Sequence, residues 1–167
     1  MRNEVLFLTL KVFSSTGGIE KVCRIVGKAM YESCIRYNKR MQVYSMHDRQ
    51  DAAADNQYFP IEIFTGFNVF KIRFMRKAVL QGRKSNLVIL SHINLLVAGW
   101  LIKKLRPSVK VILFAHGIEV WGPVNSFKRK MLQCCDEIIS VSEYTRRKII
   151  EVHGVDDAKC TVMNNCL

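Results

Sequence analysis

The sequence predicts a doubly wound α/β domain, with a mostly parallel sheet of about six or seven strands and helices on both faces. Short apolar runs rich in β-branched residues alternate along the chain with longer segments of helical spacing. The runs are apolar at nearly every position, as in parallel strands that are buried on both faces. Glycine or polar residues follow several of these runs, where connecting loops should begin.

The length and composition are those of an ordinary folded protein. One domain, residues 1–167, is expected. Hydrophobic residues make up 49% and charged residues 24% of the chain, which excludes wholesale disorder. No apolar run approaches the roughly 20 residues of a membrane span, and the first is too short for a secretion signal. The six cysteines form no metal-binding pattern, which indicates reduced thiols, no metal site and a cytoplasmic location.

The strongest compositional signal is charge. The chain has 26 Lys and Arg against 14 Asp and Glu, a formal net charge of +12. Such a field favours an anionic partner: a nucleotide phosphate, nucleic acid or an acidic membrane surface. Nucleic acid is the least favoured of the three, because the basic residues form neither an RNA-stacking motif nor a recognition helix.

The chain opens with a strand, a glycine-containing turn and a helix. Residues 5–10 are apolar enough for a central strand, and residues 19–36 have helical spacing. Between them, Gly17 and Gly18 would let backbone N–H groups approach an anion at the helix N-terminus. No GxGxxG or Walker motif is present, so a tight turn without a ligand is the alternative interpretation.

Two more strands are predicted before the second long helix. Residues 41–46 alternate as a strand does, and residues 58–64 form a short strand that Pro60 assigns to a sheet edge. Residues 47–56 form a polar loop. Its His47-Asp48-Arg49 sequence is therefore interpreted as solvated rather than catalytic.

Residues 67–84 are the most basic stretch and have the spacing of an amphipathic helix. Arg73, Arg76 and Lys77 belong to its basic set. Such a helix can lie on an anionic membrane. The alternative is a helix packed on the core, with its basic face in solvent.

The fourth strand, residues 87–90, ends in polar groups that include His92 and Asn94, and a helix at residues 95–105 follows. The central strand, residues 109–115, repeats this pattern.

His116, Gly117 and Glu119 directly follow the central strand. Ligands of open α/β sheets bind at the carboxyl ends of the strands, where the crossover loops gather. These residues are therefore a candidate site. The alternative is a loop in which His116 caps a backbone carbonyl.

The last part of the chain continues the alternation. Residues 127–135 form a helix and residues 137–141 a strand. Ser142 is predicted to cap the next helix, residues 143–152, although the capping box is incomplete. Residues 160–163 form the last strand.

Five segments occur in an order that resembles family-4 glycosyltransferases of the GT-B fold. They are TGGIEK at 16–21, LVILSH at 87–92, FAHGIE at 114–119, DEIISVSEYT at 136–145 and VMNN at 162–165. The resemblance implies a Rossmann-like N-terminal domain, one half of a GT-B fold. The active site of such enzymes lies between this acceptor-side domain and a C-terminal donor-binding domain. The second domain is expected to be absent from this chain.

The resemblance also implies a chemistry. Such enzymes transfer a sugar from a nucleotide-sugar with retention of configuration, without a metal or cofactor, and fixed cations of the second domain stabilise the leaving diphosphate. The expected acceptor is a glycan or lipid-linked intermediate of cell-surface polysaccharide synthesis, at the inner face of the cell membrane. The chain alone should be inactive unless a partner chain supplies the second domain. The alternative is a non-catalytic Rossmann-like module that binds an anionic ligand or partner.

The resemblance assigns roles to a few residues. His116 would contact the transferring sugar or the acceptor, and Gly17 and Gly18 would place N–H groups near the donor phosphates. The residues expected to line the cleft or bind the acceptor are His92, Asn94, Glu119 and Ser142. Membrane contact is expected through Arg73, Arg76 and Lys77.

Overall fold

A computed structural model describes residues 4–54 and 56–164. Asn165, the last residue of the VMNN segment, lies outside this range. Within it, seven strands form one sheet. The strands are β1 (Glu4–Thr9), β2 (Arg40–Ser45), β3 (Phe64–Gly66), β4 (Leu87–Leu90), β5 (Lys110–Ala115), β6 (Glu137–Ser140) and β7 (Cys160–Val162). Their spatial order is β3-β2-β1-β4-β5-β6-β7, and all neighbours pair in parallel. The predicted fold class is confirmed.

Six α-helices connect these strands in the described residues. They are α1 (Gly18–Arg36), α2 (Lys71–Gly82), α3 (Leu96–Leu105), α4 (Ile118–Trp121), α5 (Ser126–Gln133) and α6 (Glu143–His153). Short 3₁₀ turns lie at Gln50–Ala53, Ile61–Ile63, Ile93–Leu95 and Asp157–Lys159. No helix in residues 4–54 and 56–164 is long and apolar enough to cross a bilayer.

The helices cover the two faces of the sheet unevenly. From β1 the chain moves through α1 towards β2 and β3, and from β3 it returns through α2 towards β4 and β7. Because parallel crossovers are right-handed, connections that run in opposite directions lie on opposite faces. Accordingly, Phe74 of α2 and Ile149 of α6 belong to one core cluster, whereas Cys23 of α1 belongs to the other.

The third strand is shorter and later than predicted. Residues 58–64 were expected to form it, but Ile61–Ile63 is a 3₁₀ turn and the ladder begins only at Phe64. Pro60 has no N–H to donate to a ladder, and the ring of Phe59 is instead buried on the α1 side of the sheet. The predicted edge position is correct.

Helix α2 begins at Lys71 rather than at residue 67, because the backbone before it is not helical. Asn68 and Val69 have positive φ angles of 44° and 62°. This strained turn is held by hydrogen bonds from the Asn68 N–H to the Asp48 carbonyl (2.8 Å) and from the Val69 N–H to the Met46 carbonyl (2.9 Å). The start of α2 is thereby fixed beside the end of β2.

The neighbouring strands β1 and β4 mark the point where the chain changes direction across the sheet. The loop after β1 leads to α1 on one face, and the loop after β4 leads to α3 on the other. Loops that diverge at such a switch point leave a crevice at the carboxyl edge of a parallel sheet.

Candidate functional site

A hollow of about 210 Å³ lies at this switch point. Its walls come from the loops after β1, β2 and β4 and from the first turn of α1. The lining residues are Leu10, Lys11, Ile19, Glu20, His47, Ser91 and His92. The crevice is thus where the fold predicts it, and His92 is part of its wall.

A second hollow of about 510 Å³ adjoins the first and shares Leu10 and His47 with it. Its polar lining consists of His47, Lys71, Asn94, Asn125 and Lys128. The two hollows together form the edge crevice. The sequence prediction placed Asn94 at this edge, but it did not single out Lys71 or Lys128.

His116 follows β5 and is half-buried beside the edge crevice, without lining either hollow. Its Nε2 lies 2.8 Å from the Ser91 carbonyl oxygen. A carbonyl only accepts, so Nε2 carries the proton and Nδ1 is left as an acceptor. Nδ1 is buried and has no hydrogen-bond partner within the described ranges. The carbonyl-capping interpretation therefore describes this conformation, and contact with a sugar stays a prediction.

The surroundings of His116 favour the neutral form of its imidazole. Burial lowers the pKa of His116, and the hydrogen bond to Ser91 and the negative charge of Glu119 oppose this shift only in part. A neutral ring can accept one hydrogen bond and donate another.

Glu119 shapes the turn that carries His116. Its Oε1 accepts a hydrogen bond of 2.6 Å from the His116 backbone N–H. Gly117 between them has a φ of 142°, which side-chain-bearing residues rarely adopt. The carboxylate thus holds the loop, and it lines neither hollow.

His92 is bound to its own loop. Its Nδ1 accepts the Asn94 backbone N–H at 3.0 Å and caps the following 3₁₀ turn. Burial lowers the pKa of His92, with Glu119 opposing the shift and the positive charge of Lys128 reinforcing it. Asn94 in turn accepts a hydrogen bond of 3.0 Å from Lys128 Nζ through its side-chain oxygen.

Gly17 and Gly18 are exposed at the N-terminus of α1 and line neither hollow. A Cβ on Gly17 would collide with the carboxylate of Glu20, which folds back over the first turn. A Cβ on Gly18 would meet open space. The clashing group is the end of a flexible side chain, so packing does not require glycine at either position. An anion at this helix end would first have to displace Glu20.

Asp48 was interpreted as solvated, and this is wrong. Its side chain is fully buried. It accepts hydrogen bonds from the backbone N–H groups of Val12 (2.6 Å), Phe13 (3.3 Å) and Ser14 (2.8 Å) and from Ser45 Oγ (2.7 Å). Burial alone would raise the pKa of Asp48, but these hydrogen bonds outweigh it and hold the pKa below its usual value. Asp48 thus fixes the loop that leads to Gly17 and Gly18.

Ser142 caps α6, as predicted. Its hydroxyl oxygen accepts the Thr145 backbone N–H at 3.2 Å and donates to the Thr145 hydroxyl at 3.1 Å. Trp121 donates to the same Thr145 hydroxyl from its indole N–H at 3.2 Å. The Ser142 side chain is therefore engaged in capping α6, while the bond from Trp121 to Thr145 joins α4 to α6. Ser142 lines neither hollow.

Helix α2 has two contrasting faces. Phe74 and Ala78 are buried, which confirms that the helix packs on the core. The outer side is apolar as well as basic: Ile72 is 81% exposed and Phe70 61%. A shallow hollow of about 840 Å³ runs along it. The exposed α2 face is formed by Val69, Phe70, Lys71, Ile72, Arg73, Arg76, Lys77 and Leu80.

The described residues contain no group of three His, Cys, Asp or Glu side chains that could hold a metal ion. The thiols of Cys23, Cys34, Cys135 and Cys160 are free and buried, and Cys134 is free and exposed. Burial raises the pKa of Cys23 and of Cys135 to about 12, which makes both thiols poor nucleophiles.

These features define a class of protein: a Rossmann-like α/β domain with a basic crevice at the switch point of its sheet. The sequence model of Glycosyltransferase Family 4 matches residues 16–167. The chain therefore belongs to Glycosyltransferase Family 4, and the resemblance found in its motifs is confirmed. A comparison with curated proteins gave no significant match.

Solved structures share the fold at low sequence identity. HepE of Anabaena, solved with UDP and glucose, superposes with a TM-score of 0.71 at 15% identity, over 99% of this chain and 45% of HepE. The lipopolysaccharide outer core galactosyltransferase WaaB superposes with a TM-score of 0.60 at 13% identity, over 98% of this chain and 46% of WaaB. The UDP-GlcNAc 2-epimerase of Neisseria meningitidis superposes with a TM-score of 0.56 at 10% identity, over 97% of this chain and 46% of the epimerase. The chain thus spans less than half the length of these proteins and matches one half of the GT-B fold.

Proposed function

We propose that this chain is the acceptor-side domain of a retaining glycosyltransferase. It would transfer a sugar from a nucleotide-sugar to a glycan or lipid-linked acceptor in cell-surface polysaccharide synthesis. The observation that carries the proposal is the edge crevice: histidine and lysine side chains gather at the switch point of a domain that belongs to a glycosyltransferase family. The structure of HepE with UDP and glucose supports a nucleotide-sugar as the donor.

The second half of the site would come from a donor-binding domain, in a longer protein or in a partner chain. The chain covers about 45% of HepE, which leaves room for such a domain. Its cations would stabilise the leaving diphosphate, since fixed charges aimed at developing negative charge are the usual device where no metal acts. Without it, the chain is expected to be inactive.

The proposed contact of His116 with the sugar or acceptor rests on its unpartnered Nδ1. Buried polar atoms are nearly always hydrogen-bonded, and a bound hydroxyl would give this acceptor a donor. His92 and Asn94 are proposed to contact the acceptor, whereas Glu119 and Ser142 would act by holding their loops. Gly17 and Gly18 remain proposed contacts of the donor phosphates, through the N-terminus of α1.

The exposed α2 face is proposed to bind the anionic inner surface of the cell membrane. Arg73, Arg76 and Lys77 would meet lipid phosphates while Ile72 and Phe70 insert at the interface. This combination of basic and exposed apolar side chains on one helix supports peripheral contact.

The test is turnover by the chain joined to a donor-binding domain, measured with UDP-, GDP- and ADP-sugars. We expect one donor to be used and His116→Ala to lower kcat by about 100-fold or more, while Glu151→Ala, an exposed change on α6, has little effect. If donor binding is measurable but no nucleotide-sugar of the panel is turned over, the chain is a non-catalytic binding module instead.

A further inference from the structure

We propose that the second hollow of the edge crevice binds the phosphate of a lipid-linked acceptor, with Lys71 and Lys128 as its cationic contacts. This rests on the proposed function and narrows its acceptor from glycans in general to phosphate-bearing lipids. Three independent features of the hollow lead to it: its charge, its apolar lining and its continuity with the exposed α2 face.

The charge of the hollow is positive and uncompensated. Lys71 and Lys128 line it and no carboxylate does. Within residues 4–54 and 56–164, neither lysine has a carboxylate oxygen within 4.0 Å. Asn94 holds the Lys128 ammonium at 3.0 Å, and this leaves two of its three N–H donors for a ligand. Two unpaired ammonium groups beside one hollow favour an anion.

The lowered pKa of His47 agrees with this charge pattern. His47 lines both hollows. Burial lowers its pKa, and the positive charges of Lys11 and Lys71 lower it further, against an opposing effect of Asp48. Lys11 and Lys71 therefore both act on the part of the crevice that His47 lines, which makes it favourable for a bound phosphate.

The rest of the hollow is apolar. Its apolar lining consists of Leu10, Met46, Ile93, Val97, Phe127 and Met131. Phe127 is exposed at the edge of the hollow, although a phenyl ring ordinarily avoids water. A lining that joins lysines to such a surface suits a phosphate that carries a hydrocarbon chain better than a free sugar phosphate.

Lys71 connects this hollow to the exposed α2 face, because its side chain lines both. The α2 face also has no carboxylate in its lining, and it exposes Ile72 and Phe70. A lipid whose chain rests along the exposed α2 face could therefore place its phosphate between Lys71 and Lys128. Chain and phosphate would then both lie on a continuous surface that is basic and apolar. This continuity favours a lipid phosphate over a free one.

The test is binding of farnesyl phosphate to the 167-residue chain by calorimetry, below the concentration at which the probe forms micelles. Farnesol and inorganic phosphate are the comparison ligands. We expect farnesyl phosphate to bind at least tenfold more tightly than either. The double variant Lys71→Gln/Lys128→Gln should weaken it at least tenfold. Lys84→Gln/Lys130→Gln, the same change at exposed sites that line neither the hollow nor the exposed α2 face, should leave it within twofold.

Several results would overturn this proposal. Equal losses of farnesyl phosphate affinity in the two double variants would mean a general effect of charge. Inorganic phosphate that binds as tightly as farnesyl phosphate would indicate a site for free anions. Farnesol that binds as tightly as farnesyl phosphate would indicate an apolar groove without a phosphate site. The assay contains no sugar donor, so it is independent of the proposed function. Sugar transfer that proceeds equally well to a phosphate-free acceptor would refute this inference and leave the glycosyltransferase proposal intact.

Discussion

Asp48 shows how one buried carboxylate can organise a loop near a site. The three backbone N–H groups of residues 12–14 have no ladder to join, because the chain leaves β1 there, and Asp48 accepts all three. Nothing in the local sequence distinguishes this aspartate from a solvated one. Its burial depends on donors 34 to 36 residues away that only the folded sheet brings near.

Asp48→Asn is expected to lower the free energy of unfolding by about 2–3 kcal/mol, because the amide nitrogen would face N–H donors and leave at least one without an acceptor. Urea unfolding followed by circular dichroism measures this. Asp51→Asn is the matched control: Asp51 is exposed and pairs with Arg49 at 3.1 Å, so the loss should stay below about 0.5 kcal/mol. Similar losses in the two variants would refute the role given to Asp48.

His116 should make the protein sensitive to acid. Burial lowers the pKa of His116 below its ordinary value of 6.5, so below pH 6.5 the unfolded chain takes up a proton that the folded protein does not. The free energy of unfolding therefore falls as the pH drops from 6.5. In His116→Gln the fall between pH 7.5 and pH 5.5 should be smaller than in the natural chain, though not absent, because the pKa values of His47 and His92 are also lowered.

Gln is the substitution of choice because its amide can still donate to the Ser91 carbonyl. Urea unfolding at pH 7.5 and pH 5.5 measures the loss in the free energy of unfolding for the natural chain and for the variant. If the natural chain and the variant lose equal stability, His116 is not held neutral by the fold.

At the scale of secondary structure, the sequence located the interior strands best. The bounds of β4 are as predicted and β5 begins one residue later, because both are buried on two faces and read as continuous apolar runs. The edge strand β3 has three residues, and its ladder competes with aromatic packing that no local pattern reveals. The start of α2 could not be predicted from the sequence either, since Asn68 and Val69 take their conformation from hydrogen bonds to residues 46 and 48.

The same reasoning explains how much of the site could be predicted. The polar residues after β4 and β5 were assigned to the carboxyl edge by topology alone, and His92 and Asn94 lie there. Lys71 and Lys128 were missed as crevice residues because each belongs to a helix whose orientation the sequence does not give.

Helix α2 should control binding to membranes. Each basic side chain near an anionic surface contributes about 1 kcal/mol, so Arg73→Gln/Arg76→Gln/Lys77→Gln should weaken partitioning onto phosphatidylserine vesicles by about 100-fold. Co-sedimentation measures this. The control is Lys28→Gln/Arg36→Gln/Lys39→Gln, exposed changes on the α1 side of the sheet. Equal partitioning of the two triple variants would rule out the α2 face as the membrane contact.

At the scale of the whole molecule, charge and topology act together. In the described residues, the five helices α2 to α6 pack on one face of the sheet and α1 on the other, and the edge crevice opens between the loops that lead to these faces. Its free lysines contribute to the net charge of +12, which should speed the approach of anionic substrates at low salt. Under the proposed function, this domain binds the acceptor and a second domain binds the nucleotide-sugar.

The measurement that tests this division most directly is sugar release from the preferred nucleotide-sugar, by the 167-residue chain alone and by the chain joined to a donor-binding domain. We predict turnover only for the joined form, at least about 1,000-fold above the chain alone, since the proposed second domain would supply the groups that stabilise the leaving diphosphate. Turnover by the purified chain alone at a rate close to that of the joined form would contradict this division.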